Sequence, residues 1–183
     1  MRKRTFAIAL VAVASAAAVP SLGTASSSTA TKTTSTPRIN ALGGFSFVPN
    51  RYTQDKLRFD NDVYRLKSGS TIRIRTRTPG EPHTVSLVSA TNVPKTVGAI
   101  GRCFEGGICG RIAQAHEVPE GEGPPGKPVV DVGKAGFDRS GDSVIFGPRP
   151  ADGVNVKLTA PRGKTLNFIC ALHPWMQAKI IVR

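Results

Sequence analysis

Thr71-Ile72-Arg73-Ile74-Arg75-Thr76-Arg77-Thr78 alternates strictly along its length. A period of two places Ile72 and Ile74 on one face and Arg73, Arg75 and Arg77 on the other, the pattern of a strand buried on one side. Shorter runs of the same kind lie at Gly44–Val48, Val63–Leu66, His83–Val88, Ser143–Phe146, Val154–Thr159, Thr165–Ile169 and Ala178–Val182. Turn-forming clusters such as Lys67-Ser68-Gly69-Ser70 and Ala160-Pro161-Arg162-Gly163 separate most of them. The rhythm predicts an all-β fold, a Greek-key β-sandwich of seven to eight strands. One stretch departs from it. From Ser89 to Asp142 the chain reads as a long loop insertion, centred on Pro119-Glu120-Gly121-Glu122-Gly123-Pro124-Pro125-Gly126.

Composition agrees with a modest globular domain. The 183 residues carry 25 Lys and Arg against 12 Asp and Glu, a formal net charge of +13, and 39% are hydrophobic. This length holds one domain or two small ones. Three cysteines are too few for a disulfide-built miniprotein, and the recurring Gly and Pro exclude a sustained heptad pattern.

The N-terminus reads as a secretory signal peptide over residues 1–25. Arg2, Lys3 and Arg4 precede the apolar run Phe6–Val19, and small residues follow at Gly23-Thr24-Ala25. Pro20 interrupts the apolar run, which is short for a membrane span. Cleavage would remove three basic and no acidic residues, leaving +10. Residues 26–40 form a Ser/Thr-rich spacer: nine of the twelve residues from Ser26 to Pro37 are Ser or Thr. Such a tract buries too little surface to offset the entropy of ordering it. The folded domain is then expected over 41–183, in an exported protein, periplasmic or extracellular.

In an oxidising compartment each cysteine needs a reason. Cys103 and Cys109, in a Gly-rich turn, suit a disulfide; a second metal site with His116 is the alternative, and under the disulfide reading His116 is an ordinary surface histidine. Cys170 is left over. It lies in Asn167-Phe168-Ile169-Cys170-Ala171-Leu172-His173-Pro174-Trp175-Met176, between two predicted strands. Seven residues there hold a thiolate, an imidazole and a thioether, the donors that suit copper cycling between Cu(I) and Cu(II). Two His and one Cys with a weak axial Met make a blue-copper site. The missing histidine is expected to be His83, in Glu81-Pro82-His83-Thr84-Val85.

Taken together, these residues resemble the cupredoxin family of small blue-copper proteins, which includes plastocyanin, azurin and amicyanin. The spacing Cys170-x-x-His173-x-x-Met176 is similar to the short ligand loop of amicyanin. The resemblance runs from about residue 41 to 183, with the 89–142 stretch as a departure. It implies one type 1 copper per chain, held by His83, Cys170, His173 and Met176, with the edge of His173 near solvent. Thr84 stands where the family often has Asn, so the hydrogen bond to the cysteine sulfur would have to come from a hydroxyl or a backbone N–H.

Four protein ligands leave no open position for substrate, so electron transfer is expected rather than catalysis. The stripe Arg73, Arg75 and Arg77, with Arg65, Lys67 and Lys56 nearby in sequence, suits steering of an acidic redox partner protein, or is a solvated sheet face. Peripheral contact with an anionic envelope surface is a further expectation of the charge. Nucleic acid is not expected as a partner, since aromatic residues are 6% of the chain and form no basic-aromatic platform. A monomer is expected. The rival function is copper storage, delivery or tolerance without a redox role.

Overall fold

The computed structural model describes residues 36–119 and 123–183. The expected signal peptide and most of the expected spacer lie outside them. Among the described residues there are twelve strands: β1 (Arg38–Leu42), β2 (Phe45–Val48), β3 (Tyr52–Asp55), β4 (Arg58–Phe59), β5 (Val63–Leu66), β6 (Thr71–Thr76), β7 (His83–Val88), β8 (Val129–Val130), β9 (Ser143–Phe146), β10 (Val154–Lys157), β11 (Thr165–Ile169) and β12 (Gln177–Val182). They form a four-stranded sheet in the order β10-β6-β1-β4, a six-stranded sheet in the order β5-β12-β11-β7-β9-β8, and the separate hairpin β2–β3. The sandwich architecture matches the expectation, and all eight expected runs contain strands. Of the four further strands, β4 and β8 are two residues long, β3 is fully exposed, and β1 follows a polar tract with no alternating run of its own.

The inner faces of the two sheets share one core. Ile39 of β1, Ile72 and Ile74 of β6 and Val156 of β10 meet Val85 and Leu87 of β7, Phe168 of β11 and Ile180 and Val182 of β12. As the alternation requires, Ile72 and Ile74 are buried whereas Arg73 and Arg75 are half-exposed and Arg77 is exposed. On that outer face Arg75 donates to Asn40 Oδ1 at 3.2 Å.

Two sequence expectations need correction. The folded unit begins at Arg38, not at residue 41. Composition placed the boundary late, because Ile39 is a single apolar residue after a polar tract, yet it is fully buried and pairs with Ile74 in a parallel ladder. The second correction concerns Ser89–Asp142, which is not simply a loop. It holds α1 (Val97–Arg102) and α2 (Ile108–Ala115), together with β8. Thr96 caps α1 by accepting from the Ala99 N–H at 3.2 Å. The two helices are clamped by the Cys103–Cys109 disulfide, which decides between the two readings of that pair. Cys103, Cys109 and Ile112 then pack on Val88, Ile169 and Ala171, forming a second small core on β7 and the end of β11. This is why every residue of β7 is buried: the polar face of that strand is covered by the insertion. Among the described residues, no helix is long and apolar enough to cross a membrane.

Candidate metal centre

Strands β7 and β11 are antiparallel neighbours, with Ser86 opposite Ile169. That register brings the start of β7 beside the residues that follow β11, joining positions 87 apart in sequence. His83 opens β7, and Cys170 is the first residue beyond β11. The turn from Cys170 to Met176 is closed by three backbone bonds: His173 N–H to Cys170 O at 3.2 Å, Met176 N–H to His173 O at 2.8 Å, and Cys170 N–H to Met176 O at 3.0 Å. Within this turn Cys170, His173 and Met176 are buried, whereas Trp175 is exposed.

The donor atoms of His83, Cys170 and His173 all lie within 4.8 Å of one another. Sγ of Cys170 is 3.8 Å from Nδ1 of His83 and 3.6 Å from Nδ1 of His173. Metal bonds of about 2.3 Å to thiolate and about 2.0 Å to imidazole, opened to a trigonal angle, separate sulfur and nitrogen by roughly 3.7 Å. The group therefore fits one metal ion without rearrangement. Met176 is buried in the same core cluster as Cys170. Three of the four sequence-predicted residues, His83, Cys170 and His173, are thus brought together, and the backbone of Met176 closes the same turn. Trp175 is 41% exposed, and its ring meets that of His173 edge-on with centroids 5.4 Å apart.

Burial governs the protonation of these donors. His83 is pushed down to about 4, first by burial, then by the neighbouring His173, with Asp55 opposing. Its imidazole is therefore neutral at neutral pH, the form that can ligate a metal. Burial pushes the Cys170 thiol up, while the Thr84, Leu172 and His173 backbone N–H groups and the Thr84 hydroxyl pull it down. A buried thiol surrounded by donors gives up its proton when a cation arrives to take the thiolate.

The supporting groups explain the orientation of the ligands. Nε2–H of His173 donates to Glu81 Oε2 at 2.6 Å, leaving Nδ1 free to face the metal position. His173 is 9% exposed, so Glu81 covers the ring edge that was expected near solvent. The Thr84 N–H donates to Cys170 Sγ at 3.3 Å, which supplies the sulfur hydrogen bond that Asn would otherwise provide. The Thr84 hydroxyl accepts from the Ala171 N–H at 2.7 Å, tying the ligand loop to β7.

Sequence reasoning missed Glu81, Ser86, Ser143 and His116. His116 is not a surface histidine but is fully buried. It follows α2, and the packing of that helix on the sheet carries it inside. The available signal was Thr84 and Ser86 alternating with Val85 and Leu87, a polar face on a strand that some covering element had to satisfy.

No protein-family model and no curated protein matches the chain. Among solved structures it is similar to an oxidised amicyanin variant, with 12% identity over 84% of this chain and 88% of that one and a TM-score of 0.41. It is also similar to the purple cupredoxin of Nitrosopumilus maritimus, at 11% identity over 80% and 99% with a TM-score of 0.38. Reduced auracyanin from Roseiflexus castenholzii gives 15% identity over 69% and 87% with a TM-score of 0.36. The reading of the centre rests on the side chains of this chain itself.

Proposed function

We propose that the chain is an exported type 1 copper protein that carries single electrons, with His83, Cys170, His173 and Met176 as its ligands. The observation that carries this is the buried group of one thiol and two imidazoles, all within 4.8 Å, in a turn whose closing residue is the buried Met176. Hard-cation sites are built from oxygen, and closed structural zinc sites from four thiolate and imidazole ligands. One thiolate, two imidazoles and a thioether favour copper. Bound there, copper would supply a one-electron couple.

The protein's part is to hold the ligands still. Were copper bound, Cys170 would supply the strong thiolate donor, His83 and His173 the two imidazoles, and Met176 a weak thioether donor that would help set the potential. Pro174 restricts the loop, and its three backbone bonds keep the ligands in one arrangement for both oxidation states. Glu81 holds the ring of His173, and Thr84 holds the loop through Ala171. With four protein ligands, no position is left for a substrate, so the protein is read as a carrier and not as an enzyme. The exposed indole of Trp175 beside His173 gives electrons a short route to the surface. The basic outer face around Arg73, Arg75 and Arg77 suits an acidic redox protein as partner.

Copper retention tests the carrier role against storage or delivery. Loaded protein should keep its metal through repeated reduction and reoxidation in the presence of a Cu(I) chelator. Rapid transfer of copper to the chelator on reduction would favour delivery instead.

A further inference from the structure

A continuous line of buried polar groups runs from the insertion to the metal position. Nδ1 of His116 lies 2.5 Å from the Lys127 carbonyl oxygen, and Nε2 lies 2.7 Å from Ser143 Oγ. Ser143 Oγ is 2.6 Å from Ser86 Oγ, and Ser86 donates to Thr84 Oγ1 at 2.8 Å. Thr84 in turn reaches Cys170: its N–H donates to Sγ at 3.3 Å, and its side chain pulls the buried thiol's pKa down. His116, Ser143, Ser86, Thr84 and Cys170 are all buried, so water does not enter the count.

Hydrogen counting gives this line two states. The Lys127 carbonyl only accepts, so Nδ1 of His116 must carry a hydrogen. Three contacts remain between Nε2 and Thr84 Oγ1, and Ser143 and Ser86 supply two hydrogens. The third comes from one end or the other. If Nε2 is protonated, Ser143 donates to Ser86, Ser86 to Thr84, and the Thr84 hydrogen is free for the Cys170 sulfur. If Nε2 is bare, Ser143 donates to it, Ser86 turns to Ser143, and Thr84 must donate to Ser86. The sulfur then keeps only backbone donors.

We propose that His116 is a positioning residue for the metal centre, acting through Ser143, Ser86 and Thr84 to set whether a hydroxyl donates to the sulfur of Cys170. A donor at the sulfur withdraws electron density that the oxidised metal needs more than the reduced one, so it raises the reduction potential. The assignment rests on the copper reading above. Burial pushes His116 below the usual histidine range and the Lys127 carbonyl pushes it back. Glu117 and Lys127, the charged residues beside it, are paired with each other at 2.6 Å. Asp142, next to Ser143, accepts from the Val132, Asp138 and Arg139 N–H groups. On α2 itself, Arg111 donates to the Gly106 carbonyl.

The test uses the copper-loaded chain and the copper-free chain, as wild type and with Ser86→Ala, which cuts the line at its middle. Ser143→Ala serves as a second cut if the first variant folds poorly. The reduction potential of the loaded wild type should fall as pH rises through the His116 transition. In the copper-free wild type, the Ala171 amide resonance should move with the same midpoint as the His116 ring nitrogens. Both couplings should vanish in the cut variant, although His116 still titrates. A potential step that survives the cut would overturn the proposal, as would a His116 that keeps one charge state throughout. A wild type with no thiolate-to-copper absorption would tell against the copper reading alone, because the amide measurement needs no metal.

Discussion

Glu81 Oε2 accepts the Nε2–H of His173 at 2.6 Å, and the carboxylate lies on the solvent side of a ring that is itself almost buried. The bond fixes which nitrogen faces Cys170. Replacing Glu81 with Gln keeps the shape but removes the charge that holds the ring. The expected result is a loss of about 10–100-fold in copper affinity, the usual effect of removing such an outer partner, measured by competition against a calibrated chelator. Unchanged affinity would mean that the ring is held by packing alone.

Thr84→Val removes a hydroxyl while preserving the backbone donor to the sulfur. The Ala171 N–H then loses its partner at a buried position. An unsatisfied buried donor costs about 1–3 kcal/mol, so the copper-free variant should unfold at correspondingly lower denaturant concentration. Equal midpoints for the two proteins would show that the loop finds another acceptor.

The Cys103–Cys109 disulfide closes a short loop, with a sequence separation of six. In the loop-entropy description its removal should cost about 2 kcal/mol. Cys103→Ser with Cys109→Ser should therefore lower stability, yet leave the absorption of the loaded centre intact, since none of the four proposed ligands is part of the small core the disulfide belongs to. Loss of the spectrum in a folded double variant would show that the insertion shapes the centre directly.

Acid should destabilise the copper-free protein through His83. Its ordinary pKa of 6.5 falls to about 4 in the folded state, so the unfolded chain binds this proton more readily. The contribution is fully present above about pH 6.5 and is lost as pH falls towards about 4, by roughly 3 kcal/mol. Denaturant unfolding at a series of pH values checks the sign, and His83→Gln should flatten this part of the profile. A copper-free protein more stable at pH 4.5 than at pH 7 would contradict it.

Much of this architecture can be read from the chain. Strict alternation at Thr71–Thr76 reports burial on one face, and the chemistry-bearing residues Cys170, His173 and Met176 are crowded into one turn. His83 was recoverable because the chain has only three histidines and this one opens a strand. The supporting groups were not. Ser86 and Ser143 are ordinary polar residues until β7 and β9 pair them across the sheet. His116 lies in a stretch whose glycines and prolines read as loop, and its burial follows from tertiary packing of α2. Glu81 lies two residues before His83, but its reach to His173 depends on a contact across 92 positions.

The most direct test of the central claim is the visible and electron paramagnetic resonance spectrum of the purified chain titrated with Cu(II), alongside Cys170→Ser. An intense thiolate-to-copper band and narrow copper hyperfine splitting, saturating at one copper per chain and absent from the variant, is the expected result. A pale spectrum, or binding unaffected by loss of Cys170, would contradict a type 1 centre at His83, Cys170 and His173.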